Sequence, residues 1–387
     1  MTNNNQKLPT PLVLFDATSI PLNRGGVGRV IESTIPFLSQ NTHFDFHVVC
    51  KAEHATEFQM ITSKVHVAPR RVSHTAYRLW WEQTGLPRLA HSLKAQLVFS
   101  PHYTYPLRGK FARVVMIHDL TFFSLPQLHS RFKRLFFRSW IRRLARNTKI
   151  GVVTPSSATA QEFYHLAPNA PRRTTVALLG YDNSLFSPPS ARDITAFTST
   201  LTPPVTQWIA FLGTLEPRKN VPALINAFSS LPSSLTTNTA LLLSGGPGWD
   251  EAVEPAIMKA QLGGLNVRKL GYLPQEQLKS FLGGAELVVY PSLGEGFGLP
   301  VLEAMACGAA VLTTRELSLP EVGGDVAFYT DTDAMSISEN LAELLKNPSS
   351  LARAKTLGPE RAKTFSWAST AEAMAQAISK ELSGRSL

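Results

Sequence analysis

Short apolar runs alternate with helical segments along this chain, and the alternation occurs twice. The first series of strand-like runs is Pro11–Phe15, Phe44–Val49, Gln96–Ser100, Val114–His118 and Ile150–Thr154. The second is Trp208–Gly213, Ala240–Ser244, Val267–Gly271, Leu287–Tyr290 and Ala310–Thr313, with helices expected over Val221–Ser230, Asp250–Leu262, Gln275–Gly283 and Pro300–Cys307. Apolar runs too short for helices, each followed by a helical stretch, are how strands covered on both faces of a parallel sheet read in sequence. Between the two series lies SPPSARDITAFTSTLTPP, a stretch rich in Ser, Thr and Pro that reads as a linker with one short helix. The expected fold class is therefore α/β, with an N-terminal domain over 1–190, a linker over 191–206 and a C-terminal domain over 207–365. An Ala-rich helical segment over 366–387 closes the chain, placed to pack back on the N-terminal domain. Ligands of open α/β sheets bind beyond the carboxyl ends of the strands, so the site is expected in a cleft where two such edges meet.

Composition removes several classes. A chain with 44% hydrophobic and 17% charged residues is not disordered. No apolar run reaches the roughly 18 residues that cross a bilayer, and MTNNNQKLPTPLVLFD lacks the apolar core of a signal peptide. A cytoplasmic location follows as the expectation. Cys50 and Cys307 are too few for a thiolate metal site. The net charge of +10 favours anionic partners without choosing among them.

The sharpest chemical signal is LVVYPSLGEGFGLPVLEAMACGAA, 287–310. A strand ends at Tyr290, a loop follows with Gly294, Gly296 and Gly298, and a helix opens near Pro300. Amides of Phe297, Gly298 and Leu299 at the mouth of that helix would face an anion, which the helix dipole also favours. Glu303, one turn in, can accept two hydrogen bonds from a vicinal diol such as a ribose. Glu295, in the loop, can hold sugar hydroxyls. A second cluster, Arg218 and Lys219, supplies cations for a phosphate. His118 ends a strand and is expected to face the cleft. Gly25, Gly26 and Gly28 form a glycine loop expected to approach a diphosphate or an acceptor. Ile31 fills the third glycine place of G-x-G-x-x-G, so a dinucleotide site is not expected. Ser244–Gly248 is glycine-rich but lacks the Gly-Lys-Ser/Thr ending of a P-loop. Asp331-Thr332-Asp333 matches a metal-binding D-x-D, yet it precedes a helical run, and an N-cap explains it better.

These strings resemble the retaining glycosyltransferases of family four, with Glu295 and Glu303 as the two glutamates of their E-x7-E motif. FLGTLEPRKN at 211–220 is similar to the family's strand-to-helix segment with its basic pair, and Gly271-Tyr272-Leu273 to the loop that holds the base. Leu319-Pro320-Glu321-Val322, Phe365-Ser366-Trp367 and Ile117-His118-Asp119-Leu120 also match family strings. The GTLEPRKN and IHDL segments look most similar to GDP-mannose-dependent mannosyltransferases. Some relatives carry arginine after the strand glycine Gly213, where this chain has Thr214.

The resemblance implies two Rossmann-like domains in the GT-B architecture and a nucleotide-diphosphate sugar as donor. It implies a glycan or lipid-linked oligosaccharide as acceptor, retention of configuration, and no cofactor or metal. Donor contacts fall by resemblance on Gly213, Arg218, Lys219, Gly271, Tyr272, Glu295, Gly296, Phe297, Gly298, Leu299 and Glu303. Catalytic roles fall on His118, Glu295, Arg218 and Lys219. The implied chemistry is a front-face displacement in which the leaving phosphate oxygen takes the acceptor's proton. An epimerase or phosphorylase on the same architecture, or a non-catalytic binding protein, are the competing classes.

Arg131–Lys149 carries eight cations and no acid, with Phe132, Phe136, Trp140 and Leu144 at helical spacing. Such a basic amphipathic helix either docks on an anionic membrane, placing the protein at the inner face of the cytoplasmic membrane, or packs on the core. No nucleic-acid-binding motif accompanies the charge, and nucleic acid is not an expected partner.

Overall fold

In the computed structural model, residues 10–20 and 25–384 are described. The chain forms two compact units. One comprises 1–124, 129–179 and 367–387; the other comprises 125–128 and 180–366.

The first unit is built on seven strands: β1 Leu12–Asp16, β2 Asp45–Cys50, β3 Val65–Val67, β4 Leu97–Ser100, β5 Ala112–Met116, β6 Gly151–Thr154 and β7 Thr174–Val176. All pair in parallel, in the order β3-β2-β1-β4-β5-β6-β7. The second unit has six: β8 Gln207–Leu212, β9 Thr239–Ser244, β10 Val267–Gly271, β11 Leu287–Tyr290, β12 Val311–Thr314 and β13 Phe328–Thr330. They too are parallel, in the order β10-β9-β8-β11-β12-β13. Central strands such as LVFS in β4 and LVVY in β11 are buried at every residue. Helices cover both faces of such strands, which therefore lose the apolar/polar alternation of a one-sided sheet.

Two segments depart from the sequence expectation, the glycine loop and the linker, while the last helix joins the N-terminal unit as expected. The glycine loop is mostly helix: Gly26 and Gly28 lie in the first turn of Gly26–Ser39, Gly25 caps it at φ −72°, ψ −174°, and none of the three has a positive φ. Val30, Ile31, Ile35 and Leu38 bury the face of this helix, and that packing overrides the weak helix propensity of glycine. Asn23 and Arg24 of the expected loop, and the N-terminal segment 1–9, lie outside the described residues.

The expected linker contains the helix Ala191–Ser199, started by a reciprocal capping box between Ser190 and Asp193. Phe197 of this helix is buried, 5.6 Å from the Trp208 ring and 5.9 Å from Phe281, so the segment belongs to the second unit. The last helix, Trp367–Ser383, belongs to the first unit although the residues before it belong to the second. Thr370 Oγ1 donates to Leu178 O at 2.6 Å, and a Cβ on Gly151 of β6 would stand 2.7 Å from Glu381 Cγ.

Candidate active site

The second sheet reverses its order at β8: β9 and β10 lie on one side, β11 to β13 on the other. Loops leaving β8 and β11 diverge there, and the crevice at such a switch point is where an open α/β sheet takes its ligand. The loop after β8 holds Arg218 and Lys219 in the 3-10 turn Pro217–Lys219. The loop after β11 holds Glu295. Asn220 ends the turn at φ 58°, ψ 33°, a left-handed conformation that Asn tolerates, and its Nδ2 donates to Thr332 O at 2.7 Å.

These two loops are joined by charge. Lys219 Nζ donates to Glu295 Oε1 at 2.6 Å, and Arg218 Nη1 lies 2.5 Å from Glu295 Oε2. Oε1 also accepts from Tyr290 Oη at 2.9 Å and from Ser292 Oγ at 2.6 Å. Arg218 Nη2 donates to Glu216 Oε1 at 2.6 Å, and Nη1 also donates to Gly294 O at 2.7 Å. Two cations thus face two carboxylates. Lys219 is 8% exposed and Glu295 7%, so this ion-pair network is buried.

Burial alone would raise the Glu295 carboxyl, but Arg218, then Lys219, and hydrogen bonds from Lys219 and Ser292 outweigh it and hold the pKa at about 2. Burial, and then the neighbouring Arg218 charge, lower Lys219, while Glu295 and Glu216 oppose them. Burial and then the Glu295 charge push the Tyr290 hydroxyl well above its ordinary value, so it remains a donor.

The helix Leu299–Ala306 opens on Gly298, whose φ of 108° and ψ of 45° suit a residue without a side chain. Ser318 Oγ lies 2.8 Å from both Glu295 O and Phe297 O, holding the approach to that helix from inside. The Phe297 ring meets Phe365 edge-on at 5.8 Å, and Leu299 is buried. Glu303 is 2% exposed, on the same face as Cys307 one turn later. Burial pushes the Cys307 thiol far up, and the Glu303 charge adds to it. Beside this, the loops after β8, β9 and β10 stack edge to edge. Gly213 N donates to Ser244 O, and Gly245 N to Gly271 O, each at 2.9 Å. A Cβ on Gly248 would lie 1.7 Å from Leu215 O, and one on Gly246 would lie 2.2 Å from Tyr272 Oη. The glycines of Ser244–Gly248 thus serve close backbone approach. Tyr272 keeps 65% of its surface exposed at this edge.

In the first unit the order reverses between β1 and β4. Asp16 ends β1, His102 follows β4, and Glu82 projects from the helix Thr75–Ser92. His102 Nε2 is 3.1 Å from Glu82 Oε2 and 3.8 Å from Asp16 Oδ2. The three donor groups are close enough for a metal ion. Arg78 already brings a cation there, with Nη1 at 3.0 Å from Glu82 Oε2 and 3.3 Å from His102 Nε2. His118 lies two residues beyond β5, with Nε2 at 2.8 Å from Pro101 O. A carbonyl only accepts, so Nε2 carries the proton and Nδ1 is the ring's acceptor. Burial lowers the His118 pKa, outweighing the carbonyl and Asp119, so the ring is neutral at neutral pH.

Comparison with known proteins agrees with both units. Residues 196–361 match the family model "Glycosyl transferases group 1", and residues 24–185 match "Glycosyltransferase Family 4". The chain is 31% identical over 275 residues to O-antigen chain mannosyltransferase B of Escherichia coli, covering 71% of each. The chain belongs to the family-four glycosyltransferases. It is also 37% identical over 169 residues to the Escherichia coli serotype-specific mannosyltransferase WbdA, covering 43% of this chain and 21% of that longer protein. Among solved structures, Anabaena HepE in complex with UDP and glucose superposes with a TM-score of 0.74 at 19% identity, over 96% of this chain and all of that one. Such a likeness speaks for the GT-B fold.

Within this transferase the residues expected from sequence divide by unit. Arg218, Lys219 and Glu295 come together. Gly213, Gly271 and Tyr272 share the neighbouring edge. Gly296, Phe297, Gly298 and Leu299 link Glu295 to the helix that carries Glu303. His118, Gly25, Gly26 and Gly28 belong to the other unit. Tyr290, Ser292, Ser318 and Glu216 were not singled out from sequence; the strand-end position of Tyr290, five residues before Glu295, was the available signal. Asp333 caps the helix Ala334–Leu345, its Oδ1 accepting from the amides of Met335 and Ser336 at 3.0 Å each.

Proposed function

We propose that this protein transfers a hexose, mannose from GDP-mannose, to a glycan or lipid-linked oligosaccharide, with retention of configuration and without a metal ion. The names of the Escherichia coli relatives support mannose and an O-antigen or lipopolysaccharide setting. The observation that carries the reading is the meeting of Arg218, Lys219 and Glu295 at the β8/β11 switch point. A diphosphate carries more charge than one carboxylate and competes for Arg218, freeing Glu295 Oε2 to accept from sugar hydroxyls. Lys219, Tyr290 and Ser292 keep Oε1 in place meanwhile.

Arg218 and the mouth of the helix beginning at Leu299 then stabilise the charge growing on the leaving diphosphate, the role a metal fills elsewhere. Glu295, its Oε1 still tied to Lys219, Tyr290 and Ser292, is engaged as a hydrogen-bond acceptor rather than poised as a nucleophile. That favours front-face displacement: the leaving phosphate oxygen takes the acceptor's proton while the protein fixes the approach. His118 Nδ1 accepts from a hydroxyl of the transferred sugar or the acceptor.

A panel of nucleotide sugars, read by thermal shift and by transfer to a glycan extract with and without EDTA, tests this. Stabilisation and transfer are expected with GDP-mannose and should persist in EDTA. A preference for UDP-glucose would overturn the donor assignment, and a strict magnesium requirement would overturn the metal-free one.

A second observation favours membrane docking. Among the described residues no helix is long and apolar enough to cross a membrane. In the helix Arg131–Arg146, Ile141 and Leu144 are buried and Trp140 packs on the core, so the sequence stripe is only partly free. At the other end Phe132 is 78% exposed and Leu135 67%, among Arg131, Lys133 and Arg134. This apolar tip amid cations fits an anionic lipid surface. Co-sedimentation with phosphatidylglycerol vesicles is expected to fall several-fold, about 1 kcal/mol per lost side chain or more, in Phe132→Ser/Leu135→Ser. Unchanged partitioning in that variant would sink the idea.

A further inference from the structure

A cavity of about 420 Å³ lies at the amino end of β5 and β6, lined by Tyr105, Arg113, Arg143, Arg146 and Lys149 among others. His118 follows the carboxyl end of β5, so the cavity and His118 are at opposite edges of one sheet, a strand length of about 16 Å apart. Among the described residues no acidic side chain lines it. Among the described residues Arg143, Arg146 and Lys149 make no ion pair. Arg113 braces the rim, donating to the carbonyls of Pro106, Gly109 and Phe111. Arg173, buried behind, ties Leu144 O, Ala145 O and Ile150 O together and so joins the end of the basic helix to the start of β6.

Tyr105 supplies a second, independent sign. It is 1% exposed, its ring packs edge-on against Trp140 at 5.2 Å, and its hydroxyl has no hydrogen-bond partner among the described residues. A buried hydroxyl left without a partner costs stability, and native structures rarely tolerate one without a reason. Burial raises this hydroxyl to about 12 against the charges of Arg143, Arg113 and Arg173, so it is a proton donor set among guanidiniums. Last-turn arginines alone are accounted for by the helix dipole. The dipole does not account for a concavity, for cations without carboxylates, or for the orphaned hydroxyl.

We infer that this cavity binds a phosphoryl group, with Arg143, Arg146 and Lys149 as its counter-charges and Tyr105 Oη as a donor. Its volume leaves room for the organic part of a phosphate ester beside the phosphoryl group. The site is separate from the donor site and stands whether or not the proposed transfer reaction is correct.

Inorganic phosphate titrated at constant ionic strength, followed by the amide resonances of Asn147 and Thr148, tests this. Saturable shifts are expected in the wild type. Affinity should fall at least about tenfold in Arg143→Gln/Arg146→Gln, which loses charge-assisted bonds, and about threefold in Tyr105→Phe, which loses one neutral donor. Melting temperatures check that both variants fold. Shifts that do not saturate, or affinity unchanged in the double variant, overturn the site. Competition by glucose 1-phosphate would identify a soluble phosphate ester, and competition by phosphatidylglycerol vesicles alone would identify a lipid headgroup. Failure of both to compete would overturn the site as a receptor for phosphate esters.

Discussion

Glu295→Ala is expected to cost about 3–5 kcal/mol of stability and to lower kcat/KM at least about a hundredfold. The stability loss comes from what remains. Lys219 stays 8% exposed beside Arg218, with its nearest carboxylate gone and Glu216 3.8 Å away. Tyr290 and Ser292 lose the oxygen they donate to. The pKa leads to a similar figure. A carboxyl held at about 2 rather than 4.5 contributes about 3 kcal/mol at neutral pH.

The sign of the pH dependence follows. The folded-state pKa is depressed, so the contribution is complete above the ordinary value of 4.5 and is lost as pH falls from there towards about 2. The difference in melting temperature between wild type and Glu295→Ala should therefore shrink as pH drops below about 4.5, and a gap independent of pH would refute the ion-pair account. Glu295→Gln/Lys219→Met removes one charge of each sign and leaves Arg218 with Glu216 at 2.6 Å. Replacing a buried pair by neutral groups is often harmless to stability. This double variant should melt near the wild type and remain nearly inactive. Recovery of activity along with stability would mean that Glu295 serves only the fold.

What could be read from the sequence was what is local. β11 runs over Leu287–Tyr290 as its apolar run predicts, and the helix after it starts at Leu299, one residue before the expected position. Glu295 and Glu303 stand out because one loop and one helix carry both. The strands missed were β3, β7 and β13. Each is three residues long and lies at a sheet edge, where one side lacks a neighbour and the residues are mostly half-buried. A three-residue edge strand has no apolar run long enough to announce it, whereas the five-residue edge strand β10 was legible.

The pairing of Lys219 with Glu295 was also out of reach. The two residues are 76 positions apart and meet only because β8 and β11 are neighbours in the sheet. From sequence Arg218 and Lys219 read as two free cations; the fold supplies Glu216 and Glu295 to balance them. Asp16, Glu82 and His102 escaped notice for the same reason, since each comes from a different element and no spacing connects them.

Glu303→Gln tests the other half of the motif, and its effect should be on affinity rather than on folding. Glu303 is 2% exposed in a short helix whose only residue not buried is Pro300. Glutamine keeps the shape and removes the charge. If Glu303 holds a ribose diol, the wild-type carboxylate accepts from both hydroxyls, whereas the amide offers one acceptor oxygen and a donor group in place of the other. Hydrogen bonds to a charged group are worth about 1.5–3 kcal/mol each, so the donor KM should rise by about tenfold to a hundredfold. The melting temperature without donor should move far less than in Glu295→Ala. Using a donor that lacks the ribose 2′-hydroxyl makes the test specific. The wild type should lose affinity for that donor, and Glu303→Gln should lose little more, because both changes remove the same interaction. Fully additive losses would place Glu303 away from the ribose and leave its carboxylate to the packing around Cys307.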